Sequence, residues 1–273
     1  MNRRQGSRLS VALFGAALGG CGGGGPLLHP AHSLPAGHIR FAAGSSGHFM
    51  FGKLASAEDE MQATASQPGG ATTSGERLAF TQGALARLAI APKVAPFLAG
   101  RVGLGSENEA GISYTGRALR LDFRHAFEGK TFALSVGAGA SGLLARGWDA
   151  PSEEMAPGGG LRSIEMKSAS GYGADLPVLV GYRSDGDVVV LWAGLRAGIE
   201  RSAYDLLLVV SPDVRAGSAA EATRLWGGGL FGFAIGLAPI QIALELDAAY
   251  ESISGSLLTG EAEVTGDVAG LSL

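Results

Sequence analysis

From Thr131 to Arg146 the chain reads TFALSVGAGASGLLAR, and alternate positions separate cleanly. Phe132, Leu134, Val136, Ala138 and Ala140 form an apolar row. Thr131, Ala133, Ser135, Gly137, Gly139 and Ser141 form a small, polar one. A period of two belongs to a β-strand, whose successive side chains point to opposite faces. The same pattern recurs along most of the chain. Ile39, Phe41, Phe49 and Phe51 mark a first strand over 38–53. Leu98, Val102 and Leu104 oppose Arg101, and Ala110, Ile112 and Tyr114 oppose Glu109, Gly111 and Ser113. Leu119, Leu121 and Phe123 oppose Arg120, Asp122 and Arg124. Further on, Tyr172 to Tyr182 oppose Asp175 and Arg183, and Val189 to Ile199 oppose Trp192, Arg196 and Glu200. Leu225, Phe231, Phe233 and Ile235 oppose Arg224 and Trp226, and Ile240 to Tyr250 oppose Glu245, Asp247 and Glu251. A weaker strand over Thr259–Leu273 ends the series.

The connections divide by length. Those at Ser106-Glu107, Glu128-Gly129, Ser184-Asp185-Gly186 and Ala238-Pro239 are tight, with hairpin-turn residues. Those at 53–95, 147–167 and 202–220 are long and fall on the alternate end, where two more, at Gly116 and Ser254–Leu257, are short. Leu54–Gly75 reads as a polar loop. Residues 76–91 fit a helical face (Leu78, Leu85, Leu88) as well as a strand; a strand there would break the alternation of loop lengths, so a helix or loop excursion toward the mouth is expected. The pattern predicts an all-β fold: an antiparallel up-and-down transmembrane β-barrel of about ten strands (range 8–12). The apolar rows match the roughly 9–11 residues of a tilted bilayer-spanning strand.

The N-terminus adds an export signal. Arg3, Arg4 and Arg8 precede a short apolar run, Val11–Ala17, far below the roughly 20 residues of a spanning helix. Leu18-Gly19-Gly20-Cys21 follows, and Cys21 is the sole cysteine, so no disulfide forms within one chain. This run resembles the lipobox of bacterial lipoproteins. The resemblance implies cleavage after residue 20 and acylation of Cys21, with the acyl chains held in membrane lipid at ~0.8 kcal/mol per buried CH₂. The expected organisation is a signal peptide over 1–20, a lipidated cysteine and flexible Gly/Pro-rich tether over 21–37, and a barrel over 38–273. Without the three signal arginines, the 21 basic residues fall to 18 against 25 acids, a net charge of −7. Such a balance argues against a nucleic-acid partner.

Alternation alone leaves open which face looks outward. A soluble barrel would place its apolar rows around a ligand. Three features favour apolar-out: rows six deep without a polar break, polar rows that mix glycine with both charge signs, and tyrosines (Tyr114, Tyr172, Tyr182, Tyr250) near strand ends, where an aromatic girdle belongs. The inward charges then include Arg101, Glu109, Arg120, Asp122, Arg124, Asp175, Arg183, Arg196, Glu200, Glu245, Asp247 and Glu251. A lumen network centred on Arg120, Asp122, Arg124, Asp175, Arg196, Glu245 and Asp247 is expected, because unpaired charges in a narrow barrel are costly. The architecture resembles the small outer-membrane β-barrel proteins. That implies an outer-membrane location, insertion by the outer-membrane machinery, long loops to the exterior, and a structural, surface or narrow passive-transport role. A lipid-anchored soluble barrel binding an apolar ligand is the alternative. The chain departs from that pattern in ending Leu271-Ser272-Leu273 rather than in an aromatic residue.

Catalytic chemistry is not expected, and neither is a cofactor or a metal. Gly137-x-Gly139-x-x-Gly142 and Gly227-x-Gly229-x-x-Gly232 match the dinucleotide fingerprint, but both lie inside alternating strands rather than at a strand-to-helix turn. No HExxH, Walker or GxSxG motif occurs. His29, His32, His38 and His48 are irregularly spaced and read as solvated linker or surface histidines. His125 lies on the apolar row without a serine two residues away, so the pair needed by a lipid-acting barrel enzyme is not visible. Pro177, lacking an N–H, suggests a bulge in its strand.

Overall fold

The structure, a computed structural model, describes residues 26–67, 70–90, 94–143, 146–148, 163–211, 214–237, 240–259 and 262–273. The alternating stretches form one antiparallel sheet: β1 (Ile39–Gly47), β2 (Met50–Phe51), β3 (Val94–Gly105), β4 (Asn108–Tyr114), β5 (Ala118–Glu128), β6 (Phe132–Leu143), β7 (Arg146–Trp148), β8 (Ser163–Arg183), β9 (Val189–Ser211), β10 (Val214–Leu237), β11 (Ile240–Thr259) and β12 (Ala262–Ser272). The order is β1-β3-β4-β5-β6-β8-β9-β10-β11-β12-β2, with β7 an extra short partner of β8. Neighbours in sequence are neighbours in space, as in an up-and-down meander. The tight turns mark the near end of the sheet. At the β3–β4 turn Ser106 and Glu107 both take positive φ (50° and 62°), the geometry of a two-residue hairpin whose twist suits its strands.

The sheet curls until β12 reaches β2. Leu271 and Ser272 pair with Phe51 and Met50, and Leu273 and Phe49 exchange two backbone hydrogen bonds of 2.9 and 2.8 Å. Closure is confined to this short zipper. β12 pairs with β11 only from Thr259↔Ala262 to Ala249↔Ser272. Among the described residues, the edge of Ile240–Ala248 away from β10 and the β1 edge away from β3 have no ladder partner. The expected closed ring is thus a curled sheet with a seam through its near half.

Several elements differ from expectation. The polar stretch 54–75 contains a helix, α1 (Lys53–Ser66). Its buried residues Leu54, Ala57, Met61 and Thr64 recur at three- and four-residue spacing, a narrow stripe hidden among polar residues. Gly52, at φ 60°, turns the chain from β2 into it. The ambiguous stretch is a helix, α2 (Ser74–Ile90). A capping box opens α2: Glu76 Oε2 accepts from the Thr72 and Thr73 amides (2.9 and 2.8 Å), and the Glu76 amide donates to Thr73 Oγ1 (3.2 Å). Those bonds hold the Glu76 carboxyl down at about 2. The loop expected over 202–220 is mostly strand, since β9 runs to Ser211 and β10 starts at Val214. Part of the loop at 147–167 is likewise the start of β8, while 149–162 lie outside the described residues. These strands project beyond the apolar rows, and their outward residues are small or polar, which masks the alternation. Pro177 makes no bulge: the β6–β8 register is the same on both sides of it, and the ladder merely lapses between Val136↔Val178 and Gly139↔Asp175.

The two ends of the interior are filled differently. At the far end the α1–α2 hairpin buries Phe80, Leu85 and Ile90 against Tyr204, Leu206, Leu208, Ile253 and Leu257. The helices touch where Gly83 meets Ala57, so closely that a Cβ at Gly83 would overlap the Ala57 carbonyl. At the near end Leu27, Leu28 and Ala31 pack with Phe97, Leu179, Trp192 and Leu230. The stretch expected as a solvated tether is therefore, over 26–34, mostly buried inside the sheet, and His29 and His32 are buried with it.

The lumen as candidate functional site

Side chains at 120, 122 and 124 share one face of β5 because strand positions two apart point the same way. The opposing residues on β6 are Ser141, Gly139 and Gly137. A Cβ at Gly139 would overlap the Arg120 guanidinium, and one at Gly111 would come within 2.7 Å of Arg101 Nη1. Two glycines of the triplet that matches a nucleotide fingerprint, Gly137 beside Arg124 and Gly139 beside Arg120, are thus the clearance for a row of arginines.

The inward charges form a continuous chain. Arg124 Nη2 lies 3.0 Å from Glu109 Oε1, and Arg101 bonds Glu109 through Nε and Asp122 through Nη2. Arg120 donates to Asp122 (2.6 Å) and, through two nitrogens, to Asp175 (2.7 and 2.8 Å). Arg196 donates to Asp175 (3.0 and 3.2 Å) and lies 4.9 Å above the Trp226 ring. The network ties β3, β4, β5, β8 and β9 together. Its members are almost wholly buried, so removing one partner leaves an uncompensated charge, a loss of about 3–5 kcal/mol.

Of the seven expected network residues, Arg120, Asp122, Arg124, Asp175 and Arg196 lie in this chain. Glu245 and Asp247 stand apart on β11. Glu245 accepts the amides of Leu27 (2.6 Å) and Leu28 (3.0 Å) and the Trp192 indole N–H (2.7 Å). Asp247 is 4% exposed, and neither carboxylate oxygen has a hydrogen-bond partner. A cavity of about 10 Å³, room for one water at most, separates it from Arg196 and Trp226. The remaining carboxylates at the near end also grip the N-terminal segment. Glu128 accepts from the Ser33 amide and hydroxyl (2.6 and 2.7 Å), Glu109 accepts from the Leu34 amide (2.9 Å), and Arg124 donates to the Pro30 and His32 carbonyls. The sequence signal for this segment was Leu27-Leu28, an apolar pair out of place in a solvated tether.

At the far end, the C-terminus of α2 meets donors aimed at its last carbonyls. Arg117 bonds Leu88 and Ala89 (3.2 and 2.9 Å), the Tyr204 hydroxyl bonds Leu88 (3.1 Å), and His48 Nδ1 lies 3.1 Å from Ile90 O. Cations there complement the helix dipole. Arg117 and Arg224 are themselves paired with Glu200 and Glu251.

The outer wall is the inverse of the interior. Tyr172–Tyr182, Val189–Ile199 and Ile240–Tyr250 each span 11 residues whose outward members are apolar. Leu195, at 69% exposure, and Leu176, at 64%, lie in the middle of that band. Above it the outward residues become Ser170, Arg201, Thr223 and Ser252 within one or two positions on each strand. His125 sits on this wall near the turns, with Nδ1 3.1 Å from Asn108 Oδ1 and its ring edge-on to Phe127. Among the described residues no group of three or more His, Cys, Asp or Glu is placed to hold a metal, and no helix is long and apolar enough to cross a membrane. Cys21 lies outside the described residues.

No family model matches the chain, and no curated protein matches it. Among solved structures it is similar to OmpTdeltaL8, a loop L8 deletion mutant of OmpT, an outer membrane protein of Vibrio cholerae. That likeness covers 83% of this chain and 73% of the other at 11% identity, with a TM-score of 0.24, too slight an overlap to carry an argument about function.

Proposed function

We propose that this chain is an outer-membrane protein: a ten-stave β-barrel (β1 with β2 as one interrupted stave, β7 as an extension of β6) whose lumen is filled rather than open. It is tethered additionally by acyl groups on Cys21, and its role is structural or surface-presenting rather than catalytic. The observation that carries the proposal is the inversion of burial. Leucines, valines and phenylalanines cover an 11-residue-tall outer band, while arginines and carboxylates fill the inside. Water would reverse that arrangement, and hydrocarbon favours it. The band height agrees with the roughly 9–11 residues that cross a bilayer on a tilted strand. The soluble alternative, an apolar-ligand carrier, finds no support in a lower lumen lined by ion pairs and occupied by residues 26–34.

Two blocks close the lumen: the N-terminal segment at the near end and the α1–α2 hairpin at the far end. The tight turns then face the periplasm, on the same side as Cys21 in the inner leaflet, and the long strands of β8–β11 face the exterior. Purified protein in planar bilayers is expected to show no large, stable openings, and a well-resolved conductance of nanosiemens size would overturn the filled lumen. In cell fractions the Cys21→Ala protein is expected to stay in the membrane pellet through carbonate washing. Its release would favour a soluble barrel held by lipid alone.

A further inference from the structure

Residues 26–34 are docked on the inner wall without being paired into it: none of them belongs to a strand. They are held by wall side chains acting on their backbone. Glu245 takes the amides of Leu27 and Leu28, Glu109 that of Leu34, and Arg124 donates to the carbonyls of Pro30 and His32. Leu28 takes φ 46°, a left-handed conformation that a residue with a Cβ keeps only where its surroundings impose it. The contact also leaves polar atoms over. His29 Nε2, His32 Nδ1 and Nε2, and Arg124 Nε are buried without hydrogen-bond partners, and each of them would gain one from water on release.

One contact fixes a protonation state. His29 is 1% exposed, and its Nδ1 lies 2.9 Å from Arg124 Nη1. A guanidinium only donates, so Nδ1 accepts and the ring's single proton sits on Nε2. A second proton has only Nδ1 to go to, where it would replace that hydrogen bond by two cations in contact. Arg101 from β3 and Arg120 and Arg124 from β5 all face the ring. The acids beside them are already engaged. Glu109 on β4 is held by Arg101, Arg124 and the Leu34 amide, and Asp122 by Arg101 and Arg120. Glu245 on β11 is held by Leu27, Leu28 and Trp192. Burial, with Arg101, Arg124 and Arg120, holds the His29 imidazole well below its ordinary value. His32 sees both signs, Arg183 and Arg124 against Glu128 and Asp187, so a charge there is partly answered.

We propose that residues 26–34 are an acid-released plug, with the His29–Arg124 contact as its trigger. At neutral pH the ring is uncharged, accepts from Arg124 and stays docked. In acid the ring takes its second proton only by leaving the guanidiniums, and the segment leaves with it toward the near end. Release uncovers Glu109, Glu128, Glu245 and Arg124 to water. The inference rests on the reading of this segment as the near-end block of a filled lumen. The direction follows from linkage: docking is at full strength above the released ring's value near 6.5 and weakens as pH falls below it. A proton bound only on release weakens docking about tenfold per pH unit there, hence about thirtyfold between pH 7.5 and pH 5.0. An ordinary glutamate, near 4.3, stays charged over that range.

The test is hydrogen exchange of the full chain in lipid nanodiscs at pH 7.5 and pH 5.0, each rate referred to the free-peptide rate at that pH. Protection of the Leu27, Leu28 and Leu34 amides is expected to fall about thirtyfold on acidification. His29→Asn puts an uncharged acceptor where Nδ1 stands, and is expected to keep protection within threefold at both pH values. Protection that changes by less than threefold in the parent chain would overturn the trigger. So would a fall in His29→Asn equal to the parent's, which would give the release to the carboxylates. Nitrogen-15 shifts of the His29 ring test the contact in the parent chain, free of any variant. The ring is expected as the neutral Nε2–H form at pH 7.5 and as the cation where protection is lost; a docked ring carrying its proton on Nδ1 would overturn the proposal. Amides of β6 and β9, expected to stay protected at both pH values, report the barrel in the same samples, so failure of the filled-barrel reading and failure of the trigger are told apart.

Discussion

Glu245 holds the N-terminal segment in the lumen, and its replacement should free that segment while leaving the sheet intact. Its carboxylate accepts the Leu27 and Leu28 amides and the Trp192 indole N–H. Glu245→Ala leaves three buried donors without an acceptor, each costing about 1–3 kcal/mol, or roughly 3–9 kcal/mol in all. A partial offset comes from Asp247, two residues along the same face of β11, which loses a like-charged neighbour. Even the lower figure shifts a local docking equilibrium by about two orders of magnitude, since 1.4 kcal/mol is tenfold. Undocking relieves the penalty by giving the amides to water, so the loss should be local. Hydrogen exchange in nanodiscs is the assay. Protection of the Leu27, Leu28 and Leu34 amides is expected to fall about a hundredfold or more, with β5, β6 and β9 unchanged. Glu245→Gln, which keeps one acceptor oxygen, should lose roughly tenfold. Protection within threefold of the parent chain in Glu245→Ala would refute the reasoning. An equal loss along all of β11 would show that Glu245 supports the wall instead.

Other consequences are as specific. Gly232→Ala places a Cβ into the Trp192 indole, and overpacking of this kind is expected to cost about 1–3 kcal/mol in urea titrations from lipid vesicles, against no measurable change for Gly44→Ala, which meets open space. Leu195→Arg, mid-band and outward, should destabilise the vesicle-inserted protein by about 2–4 kcal/mol, and Ala203→Arg, above the band, by under about 1 kcal/mol; equal effects would remove the bilayer from the picture. Because the Glu76 carboxyl is held down at about 2, below its unfolded value near 4.3, its help to α2 is complete above that unfolded value and is lost as pH falls through about 2. Carbonyl NMR of Glu76 should therefore titrate near 2 in the parent chain and move only part of the way back toward its ordinary value in Thr73→Val/Thr72→Val, which removes the two hydroxyls but keeps the two backbone amides that contribute most.

The wall of the sheet was legible in the sequence because its period of two is unbroken where it meets the apolar band. The Thr131–Arg146 row, with Leu134 exposed and Ser135 buried, is the clearest instance. All seven lumen residues were legible as inward members of the polar rows of β5, β8, β9 and β11, since a strand leaves no choice of face, and five of them join one chain of ion pairs. Less could be read above the band. There Ala203, Asp205, Glu221 and Ser254 face water, so polarity no longer separates inside from outside, and strands look like loops. Helix α1 was hidden because four residues bury it and the rest are polar. The segment 26–34 was misread because its anchors are backbone amides, which every sequence contains. What identifies it are the acceptors Glu245, Glu109 and Glu128, more than 70 residues distant in the chain. The seam was likewise beyond reach, because it depends on where the β11–β12 register stops and not on any one strand's pattern.

The most direct measurement is the accessibility of nitroxide labels in lipid vesicles to oxygen, which partitions into hydrocarbon, and to a water-soluble nickel complex. With Cys21→Ala as background, labels at Leu134→Cys, Leu195→Cys and Leu246→Cys are expected to be oxygen-accessible and nickel-protected. Labels at Ala203→Cys and Ser254→Cys, above the band, should show the reverse. Nickel-accessible labels at all five positions would contradict a membrane-embedded barrel outright.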